Sequence, residues 1–284
     1  MTEQHNHLLA VLGAGVMGTG IAALALGHGV PVVLVDVDEE ILARAAQDVR
    51  RQIRQGQLLG KLPRDAQHPD LLATTALDAV APATAVVEAV VELPEVKADV
   101  LTEVSTLVKP GVPVITNTSG IPVGELAGHC ARPGDVAGAH FMNPPYLIRT
   151  VEVIRGPRTT DDTLGRTLEL LTALDRETVV VGDGPGFVIN RILQRMINES
   201  ARIVHEGIAG HEEVDALFRN CLGHTTGPLA TADLIGLDNV VDSLRVLHQW
   251  TGDAGYDPCE LLLAKVAAGD HGRKTGCGFY TYES

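Results

Sequence analysis

The side chains able to do chemistry in this sequence are Ser119, His140, Glu152 and Asn190, and all but Glu152 stand where a strand or turn gives way to something else. His140 lies near the end of an apolar run, Asp135 to Phe141, and opens the segment His-Phe-Met-Asn-Pro-Pro. An imidazole, with an ordinary pKa of about 6.5, takes a proton from an alcohol and returns it at neutral pH, so His140 is the best general base in the chain. Glu152 follows twelve residues later, inside the run Arg149 to Arg155. A carboxylate there can accept a bond from the second ring nitrogen, fix the tautomer and stabilise the imidazolium. Ser119 comes after Asn117-Thr118, where it either lies near the reacting groups or caps the helix after it. Asn190 falls in the first turns of a long helical stretch, just past Gly184-Pro185-Gly186. It either braces that turn or reaches a reacting group, since a buried amide must find partners.

These groups need a scaffold, and the stretch Leu8 to Asp38 supplies its key. A short apolar run leads into Gly13, Gly15 and Gly18, an alanine-rich helix is predicted from about Met17 to His28, and a β-branched run closes on Asp36. Each part has a physical purpose if a dinucleotide binds. Gly13 allows the tight turn, Gly15 the close approach of the pyrophosphate, and Gly18 the packing of helix on strand. The phosphates would meet the amides of Val16 and Met17 at the positive helix end. Asp36 lies 18 residues past Gly18, where a carboxylate accepts bonds from a ribose diol. A carboxylate repels a 2′-phosphate and no arginine follows it directly, so NAD is expected rather than NADP.

Strand-like runs then alternate with helical ones. Ala85 to Val91, Val112 to Thr116, Asp135 to Phe141, Arg149 to Arg155 and Glu177 to Val181 read as strands, with helices at Pro94 to Val108, Pro122 to Gly128 and Thr159 to Leu174. The alternation predicts an α/β fold with a parallel, doubly wound Rossmann-type sheet and ligands at the carboxyl ends of its strands. Glu92 and Ser119 fall at such ends. From Phe187 onward the period is helical throughout, so two domains are expected: residues 1–184, binding NAD, and a smaller all-α domain, residues 185–284. The first helix of the second domain is apolar around much of its circumference. It is expected to be buried on several sides and to pack against a second copy of the chain as a homodimer.

Composition narrows the function. A net charge of −14 argues against a nucleic-acid partner. With only 3% aromatic residues, the core must be built from Ala, Val, Leu and Ile. The cysteines at 130, 221, 259 and 277 have no pairing or metal-type spacing and read as reduced thiols of a cytoplasmic protein with no metal. No apolar stretch reaches the ~18 residues of a membrane span. The polar start MTEQHNH lacks the apolar segment of a signal peptide, and His5 and His7 there read as a frayed end rather than metal ligands. The segment Ala43 to Lys61 is the most basic of the chain, with Arg50, Arg51, Arg54 and Lys61 among its charges. It is either a solvated helix face or a site for a phosphate-bearing ligand, which guanidinium groups suit.

As a whole the chain resembles the L-3-hydroxyacyl-CoA dehydrogenase family, which includes bacterial 3-hydroxybutyryl-CoA dehydrogenases. The resemblance is carried, in order, by GAGVMGTGIA (13–22), VEAVVELPEVK (87–97), NTS (117–119), HFMNPP (140–145), VEVIRG (151–156), GPGFVINR (184–191), GHTTGPLATADLIGLD (223–238) and GRKTGCGFYTY (272–282). It implies NAD as cofactor, an acyl-CoA substrate and a helical second domain that forms the homodimer. By position it makes Ser119, His140 and Asn190 the catalytic residues and Glu152 the acid paired with the histidine. Asp36, Glu92, Lys97, Asn117 and Asn143 match positions near the cofactor or the active site. The sequence departs from the family at Gly120, at Met142, at Arg149 and at Arg54-Gln55-Gly56-Gln57, where family members often carry lysines for the CoA nucleotide. These departures leave room for a relative similar to the dehydrogenases of methoxymalonyl extender-unit biosynthesis, which oxidise a glyceryl group on an acyl carrier protein. A free hydroxy acid or sugar acid is a further alternative, as in gulonate dehydrogenases. A non-enzymatic NAD-binding role, as in some crystallins, is a third, and the presence of Ser119, His140, Glu152 and Asn190 together argues against it.

Overall fold

The computed structural model describes residues 7–64, 69, 71–282 of the chain, so the expectation for His5 lies outside the described residues. The chain divides into two compact units, Met1–Gly184 and Pro185–Ser284.

The first unit begins with β1 (Leu9–Leu12), α1 (Val16–Gly27), β2 (Val32–Val35), α2 (Glu39–Leu58), β3 (Leu71–Thr74) and β4 (Ala85–Glu88). It continues with α3 (Pro94–Leu107), β5 (Val114–Thr116), α4 (Val123–Ala127), β6 (Val136–His140), β7 (Thr150–Arg155), α5 (Asp161–Ala173) and β8 (Glu177–Gly182). Among the described residues the strands form one sheet in the order β3-β2-β1-β4-β5-β6-β7-β8. Every residue of β1, β2, β4, β5 and β6 is buried, as expected of strands covered on both faces, and this explains their unbroken apolar runs. The chain steps outward from β1 to β3, then returns to place β4 on the other side of β1. That reversal opens a crevice at the carboxyl ends of β1 and β4, where such folds bind ligands.

The expectation of a parallel sheet holds through β6 and then needs correction. β7 pairs with β6 antiparallel, and β8 runs parallel to β7, so the last two strands oppose the rest. Residues 141–149 between β6 and β7 contain no helix, and a short link without a crossover can only return the chain beside the strand it left. Strand β3 is an addition to the predicted set; it is short, half-exposed and poor in β-branched residues. The core is aliphatic, as composition requires: Leu9, Val11, Ile21, Leu24, Leu34 and Ile115 are fully buried.

The second unit is helical: α6 (Ile189–His205), α7 (His211–Leu222), α8 (Pro228–Ile235), α9 (Leu237–Thr251) and α10 (Glu260–Ala268). Ile197, Leu229, Val240, Leu244 and Leu262 make its core. Two buried aspartates brace it. Asp215 accepts from the amides of Leu229 and Ala230 at the start of α8, and Asp233 from those of Phe279 and Tyr280. Within this chain α6 buries one face rather than several, and that face is partly polar. The reason is Asn198, which donates to Gly255 O and Asp257 O and accepts from Cys259 N, so it ties the helix to the loop before α10. Val188, Ile189 and Ile192 remain exposed. No helix among the described residues is long and apolar enough to cross a membrane.

Candidate active site

The turn after β1 has the shape a dinucleotide needs. Gly13 has φ +95°, and a Cβ there would stand 2.6 Å from the Ala89 carbonyl oxygen. A Cβ on Gly18 would fall 1.8 Å from the Gly13 carbonyl, so helix and turn touch backbone to backbone. Gly15 is different: a Cβ there meets no atom of the described residues within 4 Å, which leaves open space over the start of α1. Among the described residues no side chain makes a capping hydrogen bond to that helix and its first turn holds no acid, so the amides of Val16 and Met17 stand at its positive end. Asp36 follows β2. Its Oδ2 accepts from Ala14 N at 2.7 Å and its Oδ1 from Asp38 N at 3.2 Å, so the carboxylate is held against the glycine turn. These residues fit NAD: the amides and the open space suit a pyrophosphate, and Asp36 suits a ribose diol.

The second half of the site lies along β4, β5 and β6. His140 and Glu152 are direct register partners across β6 and β7. Both side chains are buried, and His140 Nδ1 is 3.1 Å from Glu152 Oε2. With the proton on Nδ1, the ring donates to the carboxylate and presents Nε2 as the base. Antiparallel pairing thus brings together two residues twelve apart in sequence. Asn117, one residue beyond β5, accepts from Phe141 N through Oδ1 at 3.0 Å, which pins the residue after His140 to the neighbouring strand end. Asn143 is exposed and precedes a cis peptide bond to Pro144.

Ser119 stands in the turn after β5, and Glu92 holds that turn. Its Oε1 accepts from the Thr118 hydroxyl, from Ser119 N at 2.8 Å and from Gly120 N at 3.1 Å. Its Oε2 is 3.3 Å from Lys97 Nζ. Lys97, only 1% exposed, also donates to Glu88 Oε1 at 2.7 Å. The lysine is therefore directed at these two carboxylates, with almost none of its own surface exposed. Asn190, buried in the first turn of α6, accepts from Gln194 Nε2 at 3.0 Å. Arg50, Arg51 and Arg54 are exposed on the second half of α2 and Lys61 on the turn after it, with Arg51 paired to Asp48 at 2.8 Å.

Residues 8–184 match the NAD-binding domain of 3-hydroxyacyl-CoA dehydrogenase and residues 186–282 match that family's C-terminal domain. The chain belongs to the 3-hydroxyacyl-CoA dehydrogenase family. A probable 3-hydroxybutyryl-CoA dehydrogenase of Deinococcus radiodurans is 42% identical over 275 residues, covering 96% of this chain and 99% of the relative. Among solved structures, M. tuberculosis FadB2 superposes with a TM-score of 0.91 at 32% identity, covering 98% of this chain and 99% of that one. The (S)-3-hydroxybutyryl-CoA dehydrogenase PaaH1 of Ralstonia eutropha gives 0.88 at 34% identity, covering 98% and 99%.

Within this dehydrogenase, sequence reasoning passed over two buried charged residues near the site. Glu88 ends β4 inside the run Ala85 to Val91, which reads as plain apolar strand. A carboxylate in such a run, with a lysine nine residues on, is the signal that marks it. Arg176 is the other. Its guanidinium donates to Leu174 O, Pro145 O and Ile148 O at 3.0, 3.0 and 3.1 Å, so it fastens the loop that carries Asn143.

Proposed function

We propose that this protein interconverts 3-hydroxyacyl and 3-oxoacyl thioesters of coenzyme A, with NAD as the redox partner. The observation that carries the reading is the buried His140–Glu152 pair at the strand ends of an NAD-binding domain. In the oxidative direction His140 takes the substrate hydroxyl proton at Nε2 while its Nδ1 proton stays directed at Glu152. The imidazolium so formed is balanced by the carboxylate 3.1 Å away. NAD, when bound, supplies the acceptor for the hydride that leaves C3. As proton and hydride depart, the C3–O bond becomes a carbonyl. In reverse, protonated His140 returns its proton to the oxygen on C3. Ser119 and Asn190 hold substrate oxygens in this scheme, and Glu92, Lys97, Asn117 and Asn143 would lie near the cofactor or the active site.

The exposed Arg50, Arg54 and Lys61, with Arg51, suit the phosphates of the CoA nucleotide. An acyl carrier protein shares the phosphopantetheine arm, so a carrier-bound substrate is the finer alternative. The exposed Val188, Ile189 and Ile192 support assembly as a homodimer through α6.

Incubation with NADH and acetoacetyl-CoA, followed at the nicotinamide absorbance band, tests the reading. Turnover is expected, and His140→Ala is expected to lose it by ~10²-fold or more while still binding NADH. Activity on a carrier-loaded substrate alone would move the assignment from CoA to the carrier. An unchanged rate in His140→Ala would remove the base.

A further inference from the structure

The serine turn is anchored by a chain of charges that begins away from the reacting groups. Glu88 is fully buried at the end of β4. Its Oε1 accepts from Val90 N at 2.8 Å and from Lys97 Nζ at 2.7 Å, and its Oε2 accepts from the Thr116 hydroxyl at 2.7 Å. Lys97 extends from α3 and is shared with Glu92. Glu92 in turn gathers the Thr118 hydroxyl and the amides of Ser119 and Gly120 on one oxygen. Three neighbouring elements, β4, α3 and the turn after β5, are thereby joined by two carboxylates and one ammonium.

We propose that Glu88 is a positioning residue of this dehydrogenase, acting through Lys97 and Glu92 to set where the turn presents Ser119. The inference rests on the role given to Ser119 above. A buried ion pair is a poor device for stability alone, because desolvation offsets most of its attraction and an apolar pair of similar volume serves as well. What the charged pair does supply is direction. Glu88 and Val90 O hold the ammonium from one side, at 2.7 and 3.4 Å, which keeps it from closing fully on Glu92. Glu92 then keeps the negative charge that draws the serine amide and its neighbours to one point. Without Glu88 the lysine is expected to swing to Glu92, neutralise it and loosen the turn. Geometry matters at this scale, since a misplacement of ~1 Å at a reacting group can cost ~10²-fold in rate.

The test is a double-mutant cycle between position 88 and position 119, read in kcat, KM for acetoacetyl-CoA and melting temperature. Glu88→Gln keeps shape and removes charge; Glu88→Leu removes the carboxyl group altogether, and both release Lys97 toward Glu92. Thr116→Val, which deletes one donor to Glu88, is the mildest form and serves if the others fold poorly. Each is expected to lower kcat/KM, the charge-removing forms by ~10-fold or more, with the loss mainly in kcat. In a Ser119→Ala background the same changes are expected to cost less than ~2-fold, because coupled residues are not additive. Equal losses in both backgrounds, or no loss in the first, would overturn the proposal and leave the serine in place. A Ser119→Ala enzyme at wild-type rate would instead remove the serine's role, and the proposal with it.

Discussion

An imidazole serves as a reversible base when its two nitrogens are given different roles, and in the proposed scheme one carboxylate makes that division. Glu152 is buried with His140, so their interaction is not diluted by water. Glu152→Gln keeps the side-chain volume but withdraws the charge that balances the imidazolium. It is expected to lower kcat by ~10²-fold or more with NADH affinity unchanged, measured by steady-state kinetics beside fluorescence titration of NADH. A loss confined to NADH binding would show that Glu152 acts on the cofactor and not on the histidine. At this scale the sequence was readable where a residue type declares its chemistry, as with a histidine at a strand end followed by an acid on the next strand. Glu88 was passed over, because the acid in Ala-Val-Val-Glu-Ala-Val-Val and the lysine nine residues on gain their meaning only when α3 folds Lys97 back onto it. Arg176 escaped for a similar reason, since its partners are backbone carbonyls and leave no mark in the sequence.

At the scale of elements, the strand–turn–helix of β1 and α1 separates two uses of glycine that the sequence presents as one motif. Gly15 faces open space and its backbone, φ −74°, suits any residue. Gly15→Ala is therefore expected to fold with a near-normal melting temperature and to bind NADH at least ~10-fold more weakly, because its methyl occupies the room where phosphate approaches. Gly18→Ala is expected to behave oppositely, losing ~1–3 kcal/mol of stability as the new methyl forces the Gly13 carbonyl aside. Calorimetry with and without NADH distinguishes them, and a Gly15→Ala protein with undiminished affinity would place the pyrophosphate elsewhere. Most elements of the sheet were legible because buried parallel strands are apolar from end to end. Direction was less so: β7 looks like its neighbours in composition, and only the absence of a helix in residues 141–149 reveals that the chain doubles back.

Across the whole molecule, stability should depend on pH through a histidine that does no chemistry. His28 ends α1, with Nδ1 2.9 Å from Leu24 O. Burial holds its pKa below the ordinary value, opposed by the Leu24 carbonyl, reinforced by Arg176 and opposed again by Asp175. The native state thus takes up the proton less readily than the unfolded chain. The resulting stability is complete above the unfolded value of about 6.5 and declines as pH falls through it. The melting temperature is expected to drop between about pH 7.5 and 5.5, and less steeply in His28→Gln, whose amide can still donate to Leu24 O. Identical slopes in the two proteins would assign the sensitivity to another group. Composition spoke clearly at this scale about the material of the core, and Leu, Val, Ile and Ala do fill it. It was silent about His28, because only burial tells one of eleven histidines from the rest.

His140 and Glu152 owe their partnership to the ladder between β6 and β7, not to the residues in the loop that joins those strands. That loop can lengthen, shorten or exchange its side chains without parting them. A slip of a single residue would instead set Val151 or Val153 opposite the ring and leave it facing hydrocarbon. The proposed acid–base couple thus travels with the pairing of β6 and β7, and changes confined to the loop between them are expected to leave it intact while those main-chain bonds hold.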